Sequence, residues 1–511
     1  MAVAPKNIEI MDTTLRDGEQ TDGVSFTSQE KVMIAKSLLA DVGVNRIEVA
    51  SARVSKEEKK TLSAIMAWAK ENNFSNQIEV LSFVDEKKSI DWLDGTGCYN
   101  INLLTKGSEN HCVKQLGKTL KDHLKDIEKT IDYAKSRGFS CSVYLEDWSN
   151  GIIHSPKYVW DMLKAYQDFA FKRVYLPDTL GILSPDKVYQ YISETVQKFP
   201  DVHFEFHGHN DYGLAVANTL AAVNAGAKGI HVTVNSLGER AGNTDLAATV
   251  ASLKDHANAD VSVKEGKLKE ISTLVETFSG KRISSNSPIT GQNVFTQTAG
   301  IHADGDKKGD LYKSLLSPKR FQRDQIYALG KLSGKSNIDM NLEKLGFKLS
   351  EQQKKDLLEK IVELGDNKKK ITTEDLPFLI TDLFEEYEEK IFSIEECVIT
   401  TSISMKPVAN IRVRYKGKEY EEIANGNGGY DAFMEALRKI FKKEGLTLPL
   451  LKDFEVHIPP GGKTDALVET IIIWDENIRT HAVASDQVLS ALKATERMIN
   501  LREHKKQKEV K

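Results

Sequence analysis

The chain has 511 residues, of which 40% are hydrophobic and 28% are charged, with a formal net charge of −4. This length predicts about three domains, and the balance of acidic and basic residues does not favour nucleic acid or a membrane as a partner. The four cysteines form no CxxC pair, which indicates a cytoplasmic location and argues against a thiolate metal site. Without an apolar leader or a run of about 18 apolar residues, neither export nor membrane spanning is expected.

Strand and helix patterns alternate from residue 8 to residue 256. The predicted strands span residues 8–12, 44–49, 78–84, 99–104, 140–146, 172–178, 202–207 and 229–234. Eight strand–helix units of this size favour a closed (β/α)₈ TIM barrel over an open doubly wound sheet. Because no GxGxxG follows the first strand, the main signal for a dinucleotide site is missing. The catalytic barrel is predicted over residues 1–270.

Two further regions follow the barrel. Residues 271–390 are predicted to form linker subdomains with small helices at 342–345, 351–365 and 373–387. Residues 391–511 then show three strands and a helix, twice in succession. This pattern predicts a C-terminal α+β domain of two βββα units that can pack around a pseudo-two-fold axis.

The first strand ends in a charged cluster that contains Arg16 and Asp17. In parallel α/β folds, the carboxyl ends of the strands face the site. An arginine supplies a planar, permanently charged donor for a carbonyl or carboxylate oxygen, and an aspartate supplies a hard ligand for a divalent cation. From these two residues alone, an ion pair that closes the end of the barrel is an equally good interpretation.

The seventh strand ends in an HxH motif, His207 and His209. On an extended backbone both side chains point to the same side, and two imidazoles at a strand end are typical of a metal site. Because strands one and seven lie two apart around a closed barrel, Asp17 can converge with both histidines. A single histidine would more often cap a helix or fill polar space, but this combination favours metal binding.

Three more polar residues follow strand ends, and each has an alternative interpretation. Asn243, after strand eight, is either a fourth metal ligand or outer contact, or the N-cap of the next helix. Glu146, after strand five, is either an acid–base or substrate-orienting group or a surface carboxylate. Thr179, after strand six, either hydrogen-bonds a substrate carboxylate or caps the next turn.

Two residues of the linker region, His302 and Tyr312, lie in or just after a Gly-rich segment. A lone histidine there is more often structural. It becomes a candidate for function only if this segment covers the mouth of a barrel.

Three separated motifs, RDGEQ at 16–20, HGHND at 207–211 and GERAGN at 238–243, carry a family resemblance. Together they resemble the α-isopropylmalate/citramalate/homocitrate synthase family of TIM-barrel enzymes, over nearly the whole chain. Residues 143–151 and 297–305 are most similar to the citramalate-forming branch of that family.

The resemblance implies a Claisen-type condensation of acetyl-CoA with a 2-oxo acid, followed by thioester hydrolysis. A divalent cation (Mn²⁺, Zn²⁺ or Mg²⁺) would polarise the ketone, and the implied ligands are Asp17, His207, His209 and Asn243. Arg16 would donate to the oxygen that becomes an alkoxide, and Thr179 would hold the carboxylate. The implied proton-handling set is Glu146 with His302 and Tyr312, the last two supplied by the other subunit of a homodimer.

The predicted 2-oxo acid is pyruvate, because Leu81, Leu104 and Tyr144 stand at or near the ends of strands three, four and five. Bulky side chains there would exclude a branched substrate, and pockets reject larger groups better than smaller ones. The alternatives are 2-oxoisovalerate as the substrate, with leucine as the feedback inhibitor, or ordinary core packing of these three residues.

The C-terminal stretches 425–432 and 459–466 resemble the family's allosteric domain. The resemblance implies a branched-chain amino acid effector, expected to be isoleucine, and a pocket formed by Tyr430, Asp431, Leu451, Phe454, Ile458 and Val468. Asp431 can pair with the ammonium group while the apolar side chains hold the aliphatic one. A tyrosine is expected where Phe454 stands, so this chain lacks one hydroxyl of the pattern.

Three rival functions explain less of the sequence. An acyl-CoA lyase on the same barrel would carry a cysteine in a Gly-rich loop, and residues 238–243 have none. A metal hydrolase barrel usually takes its HxH motif from strand one. A non-enzymatic sensor would leave the charged cluster at the barrel mouth unexplained.

Overall fold

The computed structural model describes residues 6–297, 314–366, 391–457, 468–475, 478–484 and 486–509, with the single positions 305, 309, 311, 376, 379 and 380. Two compact units are present, one up to Phe295 with the turn Pro318–Phe321, and one formed by the later residues. Within those ranges, no helix is both long and apolar enough to cross a membrane. The division into three regions proposed from the sequence stays a prediction.

Eight parallel strands close into a barrel in the first unit. They are β1 (Glu9–Asp12), β2 (Arg46–Ser51), β3 (Ile78–Phe83), β4 (Asn100–Lys106), β5 (Ser140–Glu146), β6 (Val174–Asp178), β7 (Phe204–Gly208) and β8 (Gly229–Val232). Their order around the barrel follows the chain, and β8 pairs with β1 to close it. The predicted (β/α)₈ barrel is confirmed, and its strands β1 and β7 are separated only by β8.

Helices surround the barrel. They are α1 (Ser28–Lys36), α2 (Lys56–Glu71), α3 (Lys88–Leu93), α4 (Leu120–Ser136), α5 (Pro156–Phe169), α6 (Pro185–Lys198), α7 (Ala215–Asn224), α8 (Leu246–His256) and α9 (Leu268–Ser279). A capping box of Thr27 and Glu30 begins α1. Two shorter helices, Glu109–Lys114 and Trp148–His154, were not predicted, because about two turns are too few to show a helical period.

The barrel interior contains a buried ion-pair network. Arg46 donates to Glu79 at 3.1 Å and to Glu205 at 2.5 Å, and the Tyr175 hydroxyl accepts from it at 3.1 Å. Arg173 also contacts Glu205, at 3.0 Å. Because burying an unpaired charge costs several kcal/mol, these groups depend on one another for their stability.

Replacing Arg46 by methionine should therefore destabilise the barrel by about 3–5 kcal/mol, since it leaves two buried carboxylates to share Arg173. Urea unfolding followed by tryptophan fluorescence measures this, because four of the five tryptophans lie in the barrel unit. The matched control is Arg137→Met, which removes an exposed ion pair to Asp94 and should leave the unfolding midpoint nearly unchanged, because exposed pairs contribute little to stability. Equal losses for the two variants would show that the network does not stabilise the barrel.

The second unit contains two three-stranded antiparallel sheets. The first is β9 (Phe392–Thr400), β10 (Val408–Tyr415) and β11 (Lys418–Asn425), and the second is β12 (Leu451–His457), β13 (Val468–Trp474) and β14 (Arg479–Ala484). Among the described residues of this unit, the helices with defined bounds are α10 (Lys335–Leu345), α11 (Glu351–Asp366), α12 (Gly429–Lys443) and α13 (Gln487–Glu509). A helix follows each sheet, so the predicted pair of βββα units is confirmed.

One hydrophobic core joins these two βββα units. It includes Phe433 and Leu437 of α12, Trp474 of β13, and Ala491 and Met498 of α13. A smaller core holds α10 and α11 together. Most of the third helix predicted there, residues 373–387, lies outside the described residues.

Candidate active site

A tight loop after β1 presents Arg16 and Asp17 at the barrel mouth. The carbonyl oxygen of Thr13 accepts from the backbone N–H groups of both residues, at 3.1 and 2.8 Å. The buried Lys31 forms ion pairs with Glu19 at 2.6 Å and with Glu58 at 2.5 Å, and these tie the loop to α1 and α2. The loop that carries Arg16 and Asp17 is therefore fixed both by backbone hydrogen bonds and by ion pairs to the helices.

Asp17, His207 and His209 converge at this mouth. The Asp17 Oδ2 atom lies 3.1 Å from His207 Nε2, and the two histidine Nε2 atoms lie 3.4 Å apart. One ligand atom from each residue lies within 4.8 Å of the others, and all three side chains are buried. The structure thus brings together the three residues for which the sequence predicts a metal-binding role.

Asn243 joins this group. Its Nδ2 donates to Asp17 Oδ2 at 2.8 Å, while its buried Oδ1 has no hydrogen-bond partner among the described residues. The N-cap of α8 is Asp245, which accepts from Ala248 N, so Asn243 does not cap the helix. A Cβ at Gly238 would lie 2.3 Å from Asn243 Oδ1, which explains why glycine stands there.

These four residues fit a divalent cation. They offer one carboxylate oxygen, two imidazole nitrogens and an amide oxygen without a hydrogen-bond partner in the described part of the chain. Mixed nitrogen and oxygen ligands suit Zn²⁺ or Mn²⁺, and Mg²⁺ less well.

The charge states around Asp17 also suit a cation. Burial opposes ionisation of the carboxyl, but the nearby Arg16 guanidinium and His207 hold the pKa of Asp17 well below its usual value. Burial, reinforced by His207, lowers the pKa of His209 to about 4. Near neutral pH the site therefore presents an ionised carboxylate and a neutral imidazole at His209, which are the forms that bind metal.

Arg16 is fixed by a carboxylate that the sequence did not reveal as functional. The Nε atom of Arg16 donates to Glu48 Oε2 at 2.6 Å, and Glu48 Oε1 accepts from Asn102 Nδ2 at 2.7 Å. The Arg16 Nη2 atom also reaches the Tyr144 hydroxyl at 3.4 Å. The available signal was an acidic residue between Ile47 and Val49 in a strand, where a buried charge needs a partner.

A cavity of about 230 Å³ opens at this mouth. The residues that line it are Arg16, Asp17, Gln20, Ser51, Leu81, Phe83, Leu104, Tyr144, Glu146, Pro177, Thr179, His207, His209, Glu239 and Arg240. A larger depression of about 600 Å³, around Lys269 and Phe321, contains none of these groups and is open to solvent.

Leu81, Leu104 and Tyr144 both line the cavity and pack in a small core with Met11 and Tyr175. The Tyr144 and Tyr175 rings meet edge to face with centroids 4.7 Å apart. The sequence allowed two interpretations of these residues, as the wall of a substrate cavity or as ordinary core packing. The structure shows that the same side chains do both.

Glu146 and Thr179 line the cavity next to a strained turn. Asp147 is left-handed, with φ of 65°, and its N–H donates to Thr179 Oγ1 at 2.9 Å. Glu146 forms an ion pair with Lys106. Thr179 does not cap α6, whose N-cap is Ser184. Neither Lys106 nor Asp147 was singled out from the sequence, because their contacts join different strands.

The remaining predicted residues are not among those that line this cavity in the described part of the chain. His302, Tyr312 and Ile458 lie outside the described residues. The Tyr430 and Phe454 rings lie with centroids 5.3 Å apart in the second unit, and Asp431 accepts from Asn427 N at 2.8 Å. Leu451 begins β12 and Val468 begins β13.

Comparisons with known proteins give three matching family models. They are HMGL-like over residues 7–275, homocitrate synthase post-HMGL domain-like over 289–369, and LeuA allosteric (dimerisation) domain over 370–502. A probable 2-isopropylmalate synthase of Methanopyrus kandleri is 34% identical, covering 97% of this chain and 98% of the relative. The (R)-citramalate synthase of Methanocaldococcus jannaschii is 33% identical, covering 91% and 92%.

Among solved structures, the hydroxymethylglutaryl-CoA lyase of Pseudomonas aeruginosa matches with a TM-score of 0.49 and 18% identity, covering 56% of this chain and 97% of the lyase. A closed parallel barrel with its polar groups at one mouth, joined to two βββα units, defines a TIM-barrel enzyme with an appended C-terminal domain. The chain belongs to the HMGL-like family, and within it to the α-isopropylmalate/citramalate/homocitrate synthases, which are acyltransferases.

Proposed function

We propose that this protein condenses acetyl-CoA with pyruvate to give (R)-citramalate and CoA. The observation that carries the proposal is the cavity of about 230 Å³. Its polar side holds Asp17, His207 and Arg16, and its apolar wall is made by Leu104 and Tyr144. Both relatives described above are named as synthases, which supports a condensation of acetyl-CoA with a 2-oxo acid.

Asp17, His207, His209 and Asn243 would hold a divalent cation. When bound, the cation supplies Lewis acidity toward the ketone of the 2-oxo acid.

Arg16 supplies the second positive group. Its Nε is occupied by Glu48, and its Nη1 lies 3.4 Å from Asp17 Oδ2, so the guanidinium is aimed before substrate arrives. It donates to the ketone oxygen, which becomes an alkoxide as the new C–C bond forms. A donor fixed in advance stabilises that developing charge without reorganisation, typically by about 3 kcal/mol.

Thr179 holds the carboxylate of the 2-oxo acid. Since its Oγ1 already accepts from Asp147 N–H, its own proton is available to donate. Together with Arg16, it orients the ketone in the cavity.

Glu146 takes a proton from the acetyl methyl group of acetyl-CoA. The ammonium of Lys106 pairs with this carboxylate and holds it at the edge of the cavity. The resulting carbanion forms the C–C bond with the ketone carbon of pyruvate. Water then hydrolyses the thioester to a carboxylate and releases CoA as the thiol. His302 and Tyr312 complete the proton-handling set in the proposal.

Pyruvate is favoured because the cavity wall is held in place. The Tyr144 hydroxyl contacts Arg16 at 3.4 Å, Glu48 at 3.3 Å and His231 at 3.2 Å, so the ring cannot swing away without breaking these contacts. A branched substrate side chain would need that space.

Leu104→Ala should shift specificity toward the larger substrate. Enlarging the wall should raise kcat/KM for 2-oxoisovalerate relative to pyruvate by about 10-fold, the value of one or two methylene groups in an apolar pocket. CoA release with each 2-oxo acid measures the ratio. The matched control is Leu103→Ala on the same strand. The Leu103 side chain packs in the core between the strands and the surrounding helices, so its loss should leave the ratio unchanged. An unchanged ratio for Leu104→Ala would remove Leu104 from the specificity wall.

The proposed regulator is isoleucine, bound by the C-terminal domain of a homodimer in the cytoplasm. Support comes from the LeuA allosteric (dimerisation) model over 370–502 and from the contact between the Tyr430 and Phe454 rings, which are tilted by 42° to each other. The Asp431 carboxylate is in the first turn of α12, where it can pair with an ammonium group.

Thiol release from acetyl-CoA tests the proposal. Purified protein with added Mn²⁺ is assayed with pyruvate and with 2-oxoisovalerate, each with and without isoleucine or leucine. We expect release with pyruvate and inhibition by isoleucine. Preferred use of 2-oxoisovalerate with inhibition by leucine would assign the chain as a 2-isopropylmalate synthase instead. Release with neither acid would overturn the synthase proposal.

A further inference from the structure

A third histidine, His231, lies beside the two that are proposed as metal ligands. Strands β7 and β8 are neighbours, and their register pairs His207 with His231. Glu205 lies two residues before His207 and so points to the same face of the sheet. All three side chains are buried, and the Glu205 and His231 side chains are fully inaccessible to solvent.

These side chains form a continuous chain of contacts. His231 Nε2 lies 3.1 Å from Glu205 Oε2, and His231 Nδ1 lies 3.2 Å from His207 Nδ1. At the far end, His207 Nε2 lies 3.1 Å from Asp17 Oδ2. The chain therefore runs from the buried ion-pair network to the proposed metal site.

The protons in this chain can be placed one after another. Arg46 contacts Glu205 at 2.5 Å and Arg173 contacts it at 3.0 Å, and guanidinium groups only donate, so Glu205 is a carboxylate that only accepts. His231 must then carry its proton on Nε2, which leaves its Nδ1 as an acceptor.

The proton between the two Nδ1 atoms therefore belongs to His207. The competing donor is the Tyr144 hydroxyl, 3.2 Å from His231 Nδ1, but this hydroxyl has the Glu48 carboxylate as an acceptor at 3.3 Å. With its Nδ1 engaged by His231, His207 is left with Nε2 as the ring atom that can ligate a cation, and this atom lies on the Asp17 side of the ring.

We infer that His231, held by Glu205, is a positioning residue that fixes the tautomer and ring orientation of His207, so that Nε2 is the atom offered to the metal. The inference rests on the proposed metal site. Partners of this kind typically change metal affinity by about 10–100-fold. By contrast, His209 Nδ1 has no partner among the described residues, so His207 is the ligand whose orientation is controlled.

Three substitutions at His231 separate this role from packing. An asparagine places its Oδ1 near the former Nδ1 and can still accept from His207. A glutamine places its amide nitrogen near the former Nε2, so it can still donate to Glu205 but offers no acceptor to His207. A phenylalanine fills the space and offers neither group.

The measurement is the Kd for Mn²⁺, obtained by competition with a chromogenic chelator and without turnover. We expect His231→Gln and His231→Phe to weaken binding by about 10–100-fold and His231→Asn to stay within about 3-fold of the wild type. Equal losses for the asparagine and glutamine variants would reduce His231 to a packing role and overturn the inference, as would three unchanged affinities.

Two further results keep this test separate from that of the metal site. If Asp17→Ala abolishes Mn²⁺ binding while His231→Phe does not change it, only the present inference fails. If Asp17→Ala binds Mn²⁺ like the wild type, the proposed metal site fails and the inference with it. Should the His231 variants not fold, ¹⁵N-histidine NMR of the metal-free wild type reads the tautomer directly. A proton on Nδ1 of His207 is expected, and a neutral ring with its proton on Nε2 would overturn the inference.

Discussion

Asp17→Ala is expected to abolish turnover with every 2-oxo acid. It should also weaken Mn²⁺ binding by more than the loss of a residue that only orients a ligand, which typically costs about 10–100-fold. The reason is that Asp17 contributes the one carboxylate of the cluster, within 3.1 Å of His207 Nε2, and it alone brings negative charge to the cation. Isothermal titration with Mn²⁺ and CoA release measure the two effects. Chelation of the wild type with EDTA should reproduce the loss of turnover, and added Mn²⁺ should restore it.

The matched control for this variant is Asp22→Ala. Asp22 is exposed on the same loop, so its loss removes a carboxylate of equal charge without touching the cavity. Near-normal turnover of Asp17→Ala, or equal losses in the two variants, would remove Asp17 from the metal site.

Arg16→Lys is expected to lower kcat by about 10²–10³-fold with a smaller change in KM for the 2-oxo acid. A lysine keeps the positive charge but loses the planar fork that contacts Glu48, Asp17 and Tyr144 at once. The ammonium is then free to turn away from the developing alkoxide. Steady-state CoA release measures both constants.

The control for Arg16→Lys is Arg53→Lys, an exposed residue paired with Asp85 that does not line the cavity. It should leave kcat unchanged. A kcat for Arg16→Lys within about 3-fold of the wild type would show that charge alone suffices and that the fixed geometry of Arg16 is not what stabilises the transition state.

The barrel and the convergence of the candidate metal ligands were predictable for the same physical reason. Parallel strands place their carboxyl ends at one mouth, so Asp17 after β1 and His207 with His209 at the end of β7 converge once the sheet closes. The period of two in β7 sets the direction of both histidines. The strand pattern of the sequence and the closure of the barrel are thus sufficient to predict that these three side chains meet.

Other parts of the site depend on contacts that no local pattern records. Glu48 and His231 become visible only when the barrel register sets them beside Arg16 and His207. Asn243 was predicted to be either a metal ligand or the N-cap of the next helix. The structure places that N-cap two residues later, at Asp245. Lys106 and Asp147 act on cavity residues across neighbouring strands.

The proposed roles of His302 and Tyr312 stay predictions from the family resemblance, as do those of the effector-binding residues. The roles of both sets are inferred from motifs that this sequence shares with the family. They are not inferred from a contact of His302 or Tyr312 with Glu146, or of the effector-binding residues with an amino acid. The same holds for the isoleucine specificity, in which Phe454 stands where a tyrosine is expected.

The central claim is that Leu81, Leu104 and Tyr144 restrict the cavity to pyruvate. It is tested most directly by internal competition, because product ratios from a mixture report the ratio of kcat/KM values. Equimolar pyruvate and 2-oxoisovalerate are supplied with limiting acetyl-CoA and Mn²⁺, and the products are quantified by mass spectrometry. Citramalate as the dominant product is the expected result. Isopropylmalate as the dominant product would contradict the claim.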